Sequence, residues 1–221
     1  MNLSYSLLPH ALYWATHVIY AVALGAALYL APWKRMAKSE NHHVFLGACV
    51  ALLVMWQMKA GILPGLDYHL LGGTLFVLMF GWEFALIGIS LVLVGTTLNG
   101  AGDWHSFSLN ALLMGGIPVL VSYTLYRFAV RRLPHHFFVY VLFNGFFGGI
   151  LAMGFTVGTI ALLMTCCSAY TLDTLESSYL PFMPLMMFAE GFFSGMLTAS
   201  MVIWRPDWMS TFDDRRYIAG K

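Results

Sequence analysis

Long apolar runs follow one another from residue 11 to residue 204, and they decide what this chain can fold into. Inside a bilayer no water pairs with backbone N–H and C=O groups. A crossing segment must therefore satisfy them internally, which takes roughly 20 apolar residues as helix. The runs fall near residues 11–31, 44–63, 69–82, 84–99, 108–127, 137–166 and 180–204. The fold expected is an all-α, polytopic integral membrane bundle of about seven transmembrane helices. Trp82 and Glu83 leave almost no loop between the third and fourth runs, so these two are expected to form a tight hairpin. With no internal repeat and no low-complexity linker, residues 1–221 read as one domain.

Composition excludes the soluble alternative. The chain is 60% hydrophobic and 10% charged, against about 25% charged in soluble domains. A formal net charge of +1 excludes nucleic acid as a partner, because a phosphate-binding face needs a marked basic excess. Cys49 lies in an apolar run and Cys166 and Cys167 are adjacent, so no structural disulfide is expected. The start MNLSYSLLPHALYW has no basic residue before its apolar stretch and no small-residue cleavage signature, and the first run is expected to remain in the mature protein.

Lys and Arg in short connections are retained on the cytoplasmic side. Lys34, Arg35 and Lys38 follow the first run, Arg127, Arg131 and Arg132 the fifth, and Arg205, Arg215, Arg216 and Lys221 the seventh. The alternate connections carry Asp67, then Asp103, then Asp173 and Glu176, and read as free of Lys and Arg. Seven spans with the N-terminus outside and the C-terminus in the cytoplasm fit this distribution. The tail WRPDWMSTFDDRRYIAGK reads either as an interfacial anchor built on Trp204, Trp208 and Tyr217 or as a docking segment for a cytoplasmic partner.

The same topology sorts eight histidines. His42, His43, His135 and His136 fall on the basic side, where headgroup contacts account for them. His10, His17, His69 and His105 fall at or near the outer side, beside Asp67 and Asp103. Imidazole is the commonest transition-metal ligand, so histidines converging on the mouth of a bundle suggest a metal site. His10 and His17 share a helix face but stand about 10 Å apart along it, too far to hold one ion together. His69, followed by the small pair Gly72–Gly73, is the better anchor. An imidazole site would lose affinity as pH falls through about 6.5.

Glu190 lies mid-run in PLMMFAEGFFSGML, and an intramembrane carboxylate is either functional or a hydrogen-bonded packing residue. Met183, Met186 and Met187, with Met164 and Cys166–Cys167, leave open a Cu(I) site built from soft sulfur ligands, or ordinary core filling. Ala23, Gly25 and Ala27 allow another helix, from this chain or a partner, to approach the first run closely. No phosphate loop, nucleophile elbow or HExxH helix is present, and no enzyme activity is expected.

From His69 to Arg127 the sequence HLLGGTLFVLMFGWEFALIGISLVLVGTTLNGAGDWHSFSLNALLMGGIPVLVSYTLYR resembles the core of the cobalt/nickel permease family of the CbiM/NikM type. These are the membrane-embedded, substrate-binding subunits of energy-coupling-factor ABC transporters. The resemblance rests on a histidine followed by a small-residue helix, the Gly102–Asp103 loop, an Asn-containing turn into LNALLMGG, and a closing YTLYR. It implies uptake of a transition-metal cation, cobalt or nickel, by a multi-pass protein of the inner or plasma membrane. It implies no cofactor of the chain's own, with a transmembrane coupling subunit and cytoplasmic ATPase subunits as partners. It makes His69 the principal metal ligand. The family typically begins Met-His and uses that end as ligands, whereas this chain begins Met1-Asn2, and His10 is the expected second ligand. Two other readings stay open: a non-transporting scaffold that keeps the permease fold, and a copper-handling protein using Met186, Met187 or Cys166.

Overall fold

The computed structural model describes residues 3, 8–37, 39–213 and 217. The Met1–Asn2 start and the bases Lys38, Arg215, Arg216 and Lys221 lie outside the described residues. The chain runs through α1 (His10–Leu30), α2 (Trp33–Met36), α3 (Ser39–Gln57), β1 (Ala60–Leu63), β2 (Leu66–Tyr68) and α4 (Gly73–Leu98). Then α5 (Phe107–Ala111) continues through a π-helical turn (Leu112–Gly116) into α6 (Ile117–Arg132). A π-helical stretch (Val139–Phe147) leads into α7 (Gly148–Cys166), followed by α8 (Leu172–Ser178) and α9 (Met183–Trp204).

Among the described residues, five helical runs are long and apolar enough to cross a membrane: His10–Leu30, Gly73–Leu98, Phe107–Arg132, Val139–Cys166 and Leu180–Trp204. The run expected near 44–63 ends earlier. Helix α3 begins with a polar turn containing Glu40, His42 and His43, stops at Gln57, and gives way to a two-stranded hairpin pairing Ala60 with Tyr68 and Gly61 with Asp67. Pro64–Gly65 explains the turn: Pro presets its first dihedral, and Gly65 takes φ +75°. The all-α expectation is corrected by this small antiparallel sheet. A second correction follows, since Lys59 now falls in the acidic connection, where its ammonium is 3.3 Å from Asp67.

The third and fourth runs form one helical stretch broken at Gly81, whose φ of 86° and ψ of 168° lie outside helical space. A Cβ on Gly88 would lie 2.8 Å from Phe76 Cε1, and one on Gly73 would lie 3.7 Å from Ile89 Cδ1. In a straight helix, residues 12 and 16 apart are separated by about 18 and 24 Å. The chain therefore doubles back at Gly81, where a positive φ favours glycine. Gly73–Phe80 covers only about 12 Å of depth, against about 21 Å for a helix over the whole run near 69–82.

The carbonyls that the break strands are taken up by the segment after α9. Ser210 N–H donates to Met79 O at 2.9 Å, and Thr211 Oγ1 donates to Leu78 O at 2.7 Å. Tyr140 Oη and Thr211 Oγ1 are 2.6 Å apart, and Tyr126 Oη donates to Thr211 O at 3.2 Å. Arg205 ion-pairs with Glu40 and lies over the Trp208 ring, 4.5 Å from its centroid. The connections after α1 and α9 therefore meet at one end of the bundle. The tail divides there: Trp204 is exposed, whereas Tyr217 is buried against Phe212 and Tyr140.

The π-helical stretch and α7 pack on α9 through glycines. A Cβ on Gly149 would come within 2.8 Å of Glu190 O and 2.9 Å of Gly191 Cα, so the two backbones touch without intervening side chains. Ahead of α1, Leu3 is 1% exposed. Its N–H donates to Asn110 Oδ1 at 2.9 Å, and its carbonyl accepts from Asn110 Nδ2 at 3.2 Å. One amide side chain on α5 thus stands in for a partner strand and holds this backbone inside the bundle.

Candidate metal-binding loop

His69 to Gly72 bridge β2 and α4 as a short non-helical turn at the start of the arm whose far end, at Leu78, is bonded by Thr211. His69 is 4% exposed. Its Nδ1 lies 2.9 Å from Leu70 O. A carbonyl can only accept, so Nδ1 carries the proton and Nε2 keeps the lone pair a metal would use. Burial above all holds this imidazole well below the usual histidine range. The ring is neutral at ordinary pH and ready to ligate.

Three neighbours fix the loop. From α3, the Trp56 ring lies 5.0 Å from the His69 ring centroid, and Trp56 Nε1–H donates to Leu71 O at 3.3 Å. From α9, Glu190 accepts Leu71 N–H on Oε2 at 2.7 Å and Gly72 N–H on Oε1 at 2.8 Å. The same carboxylate serves as cap for α4, because its N-cap residue Gly72 sits at φ 70° and has no side chain to cap with. From above, Tyr68 stacks on Tyr179 with centroids 4.6 Å apart, and its hydroxyl donates to Tyr179 O at 3.2 Å. Burial pushes the Tyr68 hydroxyl up to about 12. Tyr170 Oη donates to Pro64 O at 2.7 Å and ties the β-hairpin down beside it.

His10, the first residue of α1, is exposed. His17 packs edge-on against Trp14, and His105 is largely exposed beside Asp103, 3.2 Å away. Asp67 is held by Lys59. A Cβ on Gly154 would meet Met187 Cε at 2.9 Å and Met183 Cε at 3.7 Å, so these thioethers pack on α7, while Cys166 is exposed near the end of that helix. Among the described residues no three His, Cys, Asp or Glu side chains converge closely enough to hold a metal ion. His69 therefore offers one ligand on a rigid loop. Glu190 turns out to be the hydrogen-bonded residue of the two readings the sequence left open, and it supports His69 through the backbone.

The match to known families now decides the class. A family description, the CbiM cobalt uptake substrate-specific transmembrane region, matches residues 2–208. The chain belongs to this cobalt-uptake family. It is accordingly a transmembrane component of a metal-uptake transporter and not an enzyme. Comparison with curated proteins gives no match. The fold is that of two solved structures. One is a truncated transition metal transporter, TM-score 0.74, 16% identical, covering 94% of this chain and 99% of the other. The second is a transition metal transporter, TM-score 0.74, 17% identical, covering 94% of this chain and 93% of the other. At this identity the likeness speaks for the fold alone. Sequence reasoning singled out His69 but missed Trp56, Tyr68 and Asn110. Of these only Asn110 left a trace, as a polar residue in the apolar run near 108–127.

Proposed function

We propose that this protein is the substrate-binding subunit of an energy-coupling-factor transporter that takes up a divalent transition-metal cation, cobalt or nickel. The metal is cargo, not a resident cofactor, and His69 Nε2 is its principal protein ligand. One observation carries this reading: a buried imidazole, its tautomer set by Leu70 O, on a loop braced by Glu190 and Trp56. A metal ligand is held in place by such supporting contacts, and their loss typically costs about 10 to 100-fold in affinity. His10 is the second ligand in this proposal, with buried backbone groups and water completing a shell that must later release the ion.

In the same reading there are about seven spans, counting α3 and both arms of the Gly81 hairpin. The N-terminus lies outside, and the end carrying Lys34, Arg35, Arg131, Arg132 and Arg205 faces the cytoplasm of an inner or plasma membrane. A transmembrane coupling subunit and cytoplasmic ATPases supply the energy. Titration of purified protein with Co2+ and Ni2+ tests the site: His69→Ala should abolish saturable binding, and His10→Ala should weaken it. His136→Ala should bind as wild type does. Equal isotherms for wild type and His69→Ala would remove His69 from the site. Affinity purification from native membranes should bring down an ATPase, and cobalt uptake should require it.

A further inference from the structure

An apolar groove of about 470 Å3 runs down one side of the bundle. Its floor is the short arm of α4, from Gly72 to Met79, and its walls are α3, through Gly47 and Ala51, and α9, through Phe193 and Leu197. Gly47 and Ala51 are exposed, so the groove opens sideways to whatever surrounds the bundle. Along α3 it extends from His43 to Met55, about 18 Å at 1.5 Å per residue. That is close to the roughly 15 Å of hydrocarbon in one leaflet of a bilayer.

The end of the groove at His43 and Trp208 has a different chemistry. A narrow cleft lined by Arg35 adjoins it there and shares Val44 and Trp208 with it. Arg205 lies over the Trp208 ring, but its charge is taken up by Glu40 and Asp207. Arg35, on α2, is part-buried, and its guanidinium has neither ion pair nor hydrogen bond among the described residues. Burial alone displaces its pKa, downward, whereas a neighbouring carboxylate would push it up. Trp208 Nε1–H is a second unused donor, buried without an acceptor among the described residues. A buried donor left unpaired is costly. What both donors lack is an anionic acceptor, and what the groove lacks is a long apolar group.

We propose that the groove holds one acyl chain of a membrane glycerophospholipid whose phosphate is bound by Arg35 and Trp208. The chain lies along Gly47 and Ala51, where small residues leave it room, and a small turn of the Trp208 ring brings Nε1–H to the phosphate. The guanidinium fork matches two phosphate oxygens at once, and a Trp ring suits the headgroup level because its body is apolar and its N–H polar. Moving from bilayer to groove gains the chain little, since lipid tails are as apolar as the lining. Selection of this lipid therefore sits in the phosphate contacts and in the fit of the groove. A partner helix would fill the apolar part but bring no anion to Arg35.

Native mass spectrometry of the full chain in detergent, titrated with 1-palmitoyl-2-oleoylphosphatidylglycerol, tests the site. Wild type should hold one phospholipid tightly, and the diacylglycerol with the same two chains, which lacks the phosphate, should bind about tenfold more weakly or worse. Arg35→Gln should weaken the phospholipid about tenfold or more, the loss expected for a charge-assisted bond. A Cβ on Gly47 meets nothing within 4 Å, so Gly47→Leu grows into the groove without disturbing the fold and should weaken binding as much. Arg131→Gln removes an exposed base that does not line the groove and should bind as wild type does. Equal phospholipid binding by wild type, Arg35→Gln and Gly47→Leu, or a wild type that holds phospholipid no more tightly than diacylglycerol, overturns the proposal. So does a Gly47→Leu chain that keeps its lipid but no longer copurifies with another membrane subunit, a result that gives the groove to a partner helix.

Discussion

Glu190 and Gly72, 118 positions apart in sequence, are joined by a 2.8 Å hydrogen bond in which a fully buried carboxylate caps a helix that cannot cap itself. The bond to Leu71 N–H beside it makes the grip bidentate. Charge-assisted bonds of this kind are worth about 1.5 to 3 kcal/mol each. Glu190→Ala strands both N–H groups and should lower the thermal midpoint and weaken Co2+ binding about 10 to 100-fold. Glu190→Gln can satisfy only one N–H and turns an NH2 toward the other, so it should also lose affinity. A Glu190→Ala protein with unchanged affinity would show that the loop holds its shape without this cap.

Trp56 acts on the same loop through two separable contacts. Trp56→Phe keeps a ring beside His69 but drops the bond to Leu71 O, a loss of about 1 kcal/mol. Trp56→Ala removes the packing as well and should cost about 3 to 5 kcal/mol. Chemical unfolding in detergent, followed alongside Co2+ titration, should rank the three proteins in that order for both stability and affinity. Equal effects of Phe and Ala would place all of the contribution in the hydrogen bond.

The imidazole fixes the pH response. Folding lowers the His69 pKa from its ordinary value by burial, so the unfolded chain binds more protons than the folded one below about pH 6.5. Stability from this group is therefore complete above that pH and lost as pH falls toward the depressed folded value. Metal affinity should follow, because the bound form needs the neutral ring. Co2+ titrations between pH 7.5 and 5 should hold their affinity through 6.5 and weaken only below it. A midpoint at the ordinary histidine value would mean that the ring is solvated during binding.

Gly81 sits at a positive φ at the reversal of α4, where a side chain is strained by roughly 1 to 3 kcal/mol. Gly81→Ala should lower the thermal midpoint while leaving the Co2+ affinity within a few-fold of wild type, because the break lies at the opposite end of the short arm from His69. A large drop in affinity with unchanged stability would instead tie the reversal to the metal loop.

The apolar runs and the Trp82–Glu83 boundary were legible because hydropathy and charge are local properties, and the reversal one residue earlier, at Gly81, follows from them. The early end of α3 was not, since Leu63 and Ile62 look as apolar as the helix before them. Only the Pro64–Gly65 turn signalled a strand. Glu190 could be found as an anomaly, but its partners are backbone N–H groups 118 and 119 positions away, which no side-chain pattern reports. Lys59 was hidden by apolar neighbours on its own run until the helix ended before it. Trp56 resembles any aromatic residue near a helix end. Its role comes from the ring placed beside it by the hairpin.

Leu3 is clamped by Asn110, 107 residues later in the chain. At about 5 to 20 residues per second, the ribosome takes on the order of 5 to 20 s to make the residue that receives it. Until α5 has entered the bilayer, the Leu3 N–H and C=O groups have no clamp waiting. Seating of Leu3 is therefore tied to the arrival of α5 rather than to its own synthesis.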